Sequence, residues 1–175
     1  MKIKVKKVLL LFIQILAITI VSANAQQPAA SPAQMDVGSK AINFTLKDAK
    51  GKDVSLASFS NKYILIDFWA SWCGACRNDM PWTIDAYKNY KDKGLEVLAI
   101  SLDDDKKDWK EAIEKDGMVF TNVIAPGGKL SDVAKNYGVN YIPQNFLIDP
   151  SGKIIAKNLV RKNLTNMMRK IFEKP

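Results

Sequence analysis

Cys73 and Cys76 stand three positions apart in the stretch FWASWCGACRNDMPW, Phe68 to Trp82, and no other cysteine occurs in the chain. Two thiols cannot build a disulfide framework. A chain of 175 residues also buries a real core without staples. The pair therefore points to chemistry: a redox couple or part of a metal site. A closed zinc site wants four ligands from Cys, His or carboxylate, and iron–sulfur clusters usually want four cysteines. The chain has no histidine at all, which removes the commonest metal ligand, the usual general base and any Cys–His nucleophilic pair. A dithiol–disulfide couple is the reading that needs nothing more. It implies no metal and no cofactor, because the electrons sit on the two sulfurs.

Such a couple needs elements that place one sulfur outside and one inside. Tyr63 to Trp69, YILIDFW, is a nearly unbroken apolar run of strand formers, as in a central strand buried on both faces. After the cysteines, Met80, Ile84 and Tyr87 recur at helical spacing and Gly94 ends the pattern. Pro81 lies inside it, where a proline removes a backbone donor and favours a kink. Cys73 then falls at a helix N-terminus, where free N–H groups and the dipole favour a thiolate. One turn later Cys76 returns beneath it. The outer thiolate can attack a substrate disulfide, and the inner one can attack the mixed disulfide and release the product.

The remaining elements follow from pattern. AINFTLKDAKGKDVSL alternates around a turn at Lys50-Gly51-Lys52 and reads as a hairpin. Leu56 to Asn61 reads as a helical turn. Leu95 to Leu102 is a second buried strand. Asp103 to Asp105 supply a helix start, with Trp109, Ala112 and Ile113 as its apolar face. Val119 to Ile124 is a further strand, and Leu130, Val133, Ala134 and Tyr137 define a helix closed by Gly138. NFLIDPSGKIIA reads as strand, turn and strand. Leu164, Met167, Met168, Ile171 and Phe172 give a terminal amphipathic helix. Strands alternating with helices argue for an α/β sandwich with helices on both faces, and the final hairpin makes the sheet mixed.

ILIDFWASWCGACRNDMP resembles the active-site segment of thioredoxin-like proteins, and most closely that of the exported TlpA/ResA-like thiol–disulfide oxidoreductases. KNYGVNYIPQNFLIDPSGKI resembles their second signature, a proline before a strand. The resemblance covers Val37 to Phe172. It implies a thioredoxin-like three-layer sandwich carrying an N-terminal β-hairpin and an inserted strand–helix unit after Leu102. It also implies that Pro143 is a cis proline facing the cysteines, offering backbone to an incoming peptide and keeping metals off the thiols, with Ile142 beside it and Trp72 as substrate-binding positions. Gln144 stands where a threonine is common.

The resemblance places two carboxylates in the site. Asp67 matches the buried acid that assists proton transfer at the inner cysteine. Asp79 matches an acidic position of ResA-like proteins. A buried charge is costly without a partner or a task, so a structural ion pair is the alternative for Asp67. An ordinary first-turn helix acid is the alternative for Asp79. Arg77 either supports the thiolate or is a solvated surface arginine. Trp69, Trp109 and the methionines of the last helix read as core.

The N-terminus has the composition of a secretory signal. Lys2, Lys4, Lys6 and Lys7 precede an apolar stretch from Val8 to Val21, and SANA ends with small residues at Ala23 and Ala25. The apolar run is short for a membrane span of about 20 residues, so cleavage after Ala25 is expected, with an uncleaved N-terminal membrane anchor as the alternative. The expected organisation is a signal peptide over 1–25, a Pro-containing polar linker over 26–36 and the folded domain over 37–175. Removal of the four signal lysines reduces the formal net charge from +8 to +4, which is no nucleic-acid signature. An exported chain meets an oxidising compartment, the bacterial periplasm, where disulfides persist. The expected partners are protein disulfides, such as those of apocytochrome c or other exported cysteine proteins, and a membrane thiol reductant as electron donor. A peroxiredoxin-like peroxidase is disfavoured, since Ile66 and Ala70 occupy the positions where that class carries Pro and Thr or Ser. A non-catalytic binding or chaperone module would not need both cysteines.

Overall fold

A computed structural model describes residues 35–173. The signal peptide assigned to 1–25 and the linker up to residue 34 lie outside the described residues. Among the described residues, no helix is long and apolar enough to cross a membrane.

Seven strands form one sheet: β1 (Thr45–Asp48), β2 (Asp53–Ser55), β3 (Tyr63–Trp69), β4 (Leu95–Ser101), β5 (Thr121–Ile124), β6 (Gln144–Ile148) and β7 (Ile154–Lys157). Their order across the sheet is β2-β1-β5-β4-β3-β6-β7. β3, β4 and β5 run parallel, while β6 is antiparallel to β3, β7 to β6, β1 to β5 and β2 to β1. The sheet is mixed, as the sequence implied, and the helices are α1 (Gly74–Tyr90), α2 (Lys106–Lys115), α3 (Asp132–Asn136) and α4 (Lys162–Phe172).

Successive strand residues face opposite sides, and β3 buries both. Leu65 and Trp69 join a core formed with α1, α2 and α4, including Met80, Trp109, Leu164 and Met168. Ile64, Ile66 and Phe68 join a second core on the other face with Val133, Ala134 and Tyr137 of α3 and its flank. This is why the strand reads as a continuous apolar run rather than an alternation. Asp67 sits in that run on the face of α1.

Local capping matches local sequence. Asp105 caps α2, accepting the Lys107 N–H at 2.6 Å. Asp103 therefore does not start the helix, and it has another role described below. Ser131 caps α3. The proposed helix from Leu130 is shorter than expected: Leu130 belongs to a 3-10 turn and is exposed, because the packed face begins at Val133. β5 begins at Thr121, and Val119 is exposed. Pro81 is accommodated inside an unbroken α1. Met35, assigned to the linker, is buried in the second core, and Lys157 Nζ donates to its carbonyl at 3.0 Å, so packing begins before Val37. Gly128 has φ +54, and a Cβ there would meet the Leu102 carbonyl oxygen at 2.9 Å. That close approach brings the loop carrying Lys129 against the end of β4.

Candidate active site

β3 ends at Trp69 and the chain turns directly into α1. Two backbone bonds shape the turn: Leu102 N–H donates to the Trp69 carbonyl at 2.8 Å, and Cys73 N–H donates to that of Ala70 at 3.0 Å. The buried carboxylate of Asp103 completes it. Ser71 N–H reaches its two oxygens at 3.1 and 2.9 Å, and the hydroxyls of Ser71 and Ser101 each donate to it at 2.6 Å. A buried carboxylate with no cation paired to it among the described residues is tolerable only when hydrogen bonds replace its hydration, and here they come from Ser71 on the loop leading to the cysteines and from Ser101 at the end of β4.

Cys73 is the N-cap of α1, with Cys76 N–H donating to its Sγ at 3.2 Å. The two cysteines are joined in a disulfide, with Cα atoms 5.3 Å apart. Both are buried, Cys73 at 7% exposure and Cys76 at 3%. The helix start supplies the N–H donors and the positive dipole end that favour sulfur as an anion.

Behind Cys76 lies a small cleft with about 10 Å³ of free space, lined by Asp67, Cys76, Asp79, Thr83, Pro143 and Arg161 among others. Asp67 is buried and has no cationic partner among the described residues. Burial pushes its carboxyl up to about 7, and the negative charge of Asp79 adds to the rise, while the Thr83 hydroxyl works the other way. A carboxyl that titrates near neutrality can both accept and return a proton. The ion-pair alternative for Asp67 is thus not what the structure contains. Asp79 is paired with Arg161, Nε to Oδ1 at 2.7 Å.

Trp72 presents a largely exposed ring, 60% accessible, with Lys129 Nζ 5.8 Å from its centroid. The Ile142–Pro143 peptide bond is cis, and both residues are partly buried. Pro143 shares the cleft with Cys76, and Ile142 packs against both cores. Gln144 is buried and its Oε1 has no hydrogen-bond partner among the described residues.

The site therefore brings together Cys73, Cys76, Asp67, Asp79 and Pro143, with Trp72 on the outside. Arg77 corrects a sequence expectation. It neither faces the thiols nor stands free in solvent, because Nε and Nη2 bind the Asp116 carboxylate at 2.7 and 2.5 Å. Asp103, Thr83 and Arg161 were not identified from sequence. Thr83 does lie one helical turn from Asp79, on the face of α1 that meets β3, and that spacing was a usable signal. The other two come from distant loops and carried none.

Residues 37–157 match the model of the AhpC/TSA family. The thiol-disulfide oxidoreductase ResA of Bacillus thuringiensis subsp. konkukian is 33% identical over 141 residues, covering 79% of this chain and 80% of that protein. The thioredoxin domain of a thiol-disulfide oxidoreductase from Bacteroides vulgatus superposes with a TM-score of 0.76 at 37% identity, covering 79% of this chain and 99% of that one. A thiol:disulfide interchange protein from Bacteroides sp. gives 0.75 at 37% identity, covering 80% and 92%. The chain belongs to the thioredoxin-like AhpC/TSA family, among its thiol–disulfide oxidoreductases.

Proposed function

We propose that this oxidoreductase is an exported reductase of protein disulfides, with Cys73 as nucleophile, Cys76 as resolving thiol and Asp67 as proton acceptor. The observation that carries this reading is the juxtaposition of Cys73 at the N-terminus of α1 with Cys76 beside the buried Asp67 carboxyl, which burial pushes up to about 7. The signal-like N-terminus and the similarity to ResA support export.

The Cys73 thiolate attacks one sulfur of the substrate disulfide, a Cys73–substrate bond forms and the first substrate thiolate leaves. Cys76 gives its proton to Asp67 and attacks Cys73 Sγ. The Cys73–Cys76 bond forms, the second substrate thiolate leaves, and both substrate thiolates collect protons from Asp67 and solvent. The substrate gains two electrons and the pair loses two. A membrane dithiol returns them. Trp72, Ile142 and Pro143 form the surface that receives the substrate chain, with apocytochrome c or another exported cysteine protein as the substrate class.

The test is reduction of insulin disulfides by the reduced protein. Cys73→Ser is expected to abolish it, and Cys76→Ser to accumulate the mixed disulfide. Equilibration against dithiothreitol is expected to give a potential near that of thioredoxin, about −270 mV. A value near about −120 mV, as for a strong periplasmic oxidant, would reverse the proposed direction of electron flow.

A further inference from the structure

Arg161 is joined to Asp79 across 82 residues of sequence, Nε to Oδ1 at 2.7 Å. The Asp79 side chain is 19% exposed and that of Arg161 59%. Arg161 stands just before α4 with φ +48 and ψ −120, a backbone conformation that a residue with a Cβ adopts only under strain. Its carbonyl also accepts the Thr165 N–H at 3.1 Å, at the start of α4. A surface arginine with no task gains nothing from such a backbone. Strain of this kind persists where the surrounding structure demands one placement, and here the placement sets the guanidinium against Asp79 in the wall of the Cys76 cleft.

Among the described residues, the charged and titratable groups facing Asp67 are few. α1 contributes Asp79 and the Cys76 sulfur, and the turn before α4 contributes Arg161. The neighbouring strands set Ala99 of β4 and Asn145 of β6 beside it, neither of which carries charge. The local balance is therefore one cation against two carboxylates.

We propose that Arg161 is a positioning residue for the resolving half-reaction: by binding the Asp79 carboxylate it offsets the negative charge beside Asp67, and so sets the pH above which Asp67 can take the Cys76 proton. The inference rests on the reading of Asp67 as proton acceptor. With Arg161 present, the Asp79 charge that raises Asp67 is offset only in part. Without it, Asp67 faces a bare carboxylate and holds its own proton more tightly.

The experiment titrates the Asp67 carboxyl carbon by NMR in the oxidised full-length protein, where neither cysteine titrates. Arg161→Met keeps an apolar stem of similar length and removes the charge. It is expected to move the Asp67 midpoint up by about one pH unit. Arg161→Lys is expected to restore most of the wild-type value. Asp79→Asn is expected to lower the midpoint, and in that background Arg161→Met is expected to cause less than about half of its single-variant shift. The pH at which the mixed disulfide formed by reduced protein is resolved should move with the midpoint. An unmoved midpoint in Arg161→Met, or a full shift persisting in the Asp79→Asn background, would overturn the inference while leaving the reductase reading intact. Absence of any disulfide exchange by the wild-type protein would instead remove the reading on which it rests.

Discussion

Ser71 places its backbone N–H and its hydroxyl on the same buried carboxylate, that of Asp103, 32 residues away. The contact ties the loop before Cys73 to the segment that follows β4. Replacing Asp103 by Ala strands three donors, two from Ser71 and one from Ser101. The expected loss is about 3 kcal/mol of stability, since buried donors without acceptors keep their full desolvation cost. Urea unfolding at neutral pH measures it. Retention of wild-type stability would mean that the loop holds its shape by packing alone.

Arg77 and Asp116 form a two-pronged, partly buried pair between α1 and the end of α2. Arg77→Ala is expected to cost about 1 kcal/mol in denaturant unfolding. Its reduction potential should match that of wild type, because the guanidinium points at Asp116. A shift in potential of more than about 30 mV, equivalent to about 1.4 kcal/mol on the couple, would show that the charge acts on the sulfurs after all.

The raised carboxyl of Asp67 makes stability depend on pH. Between the ordinary carboxylate range and about 7, the folded protein holds a proton that the unfolded chain has released. The stabilising contribution is thus fully present below the unfolded value and is lost as pH rises through about 7. The expected loss is on the order of 4 kcal/mol between pH 4 and pH 8. Asp67→Asn should be free of this slope and should exceed wild type in stability at pH 8 while resolving mixed disulfides more slowly. Parallel urea curves at the two pH values check it, and an equal pH slope in the variant would contradict the assignment.

Trp72 offers exposed aromatic surface next to a buried nucleophile. Trp72→Ala is expected to lower kcat/KM for a protein disulfide by about tenfold, the effect of removing an aromatic anchor from a contact surface. Small aromatic disulfides that reach Cys73 without using that surface should react at nearly the wild-type rate. Equal losses for both substrates would assign Trp72 to shaping the loop instead.

Much of this site was legible because its signals are local. A two-sided apolar run, a CxxC pair and a helical repeat follow one another without a break, so Cys73 at a helix start and Asp67 six residues earlier on the strand could be placed by periodicity alone. Leu130 misled for the opposite reason. It fits the helical spacing, but it ends a 3-10 turn that begins at Gly128, and only packing against the second core selects Val133 as the first buried apolar position of the helix.

By itself the sequence determined the elements, the identity of the couple and the depth of Asp67, because strand and helix periodicity and capping chemistry operate over a few residues. Tertiary structure alone decided the partners: Asp103 for Ser71, Asp116 for Arg77 and Arg161 for Asp79. Each joins segments 32 to 82 residues apart. Charges of either sign are common along this chain, and periodicity does not say which will meet. The order of strands in the sheet and the placement of the segment before α4 bring them within hydrogen-bond reach, and Arg161 makes its contact from a residue with φ +48.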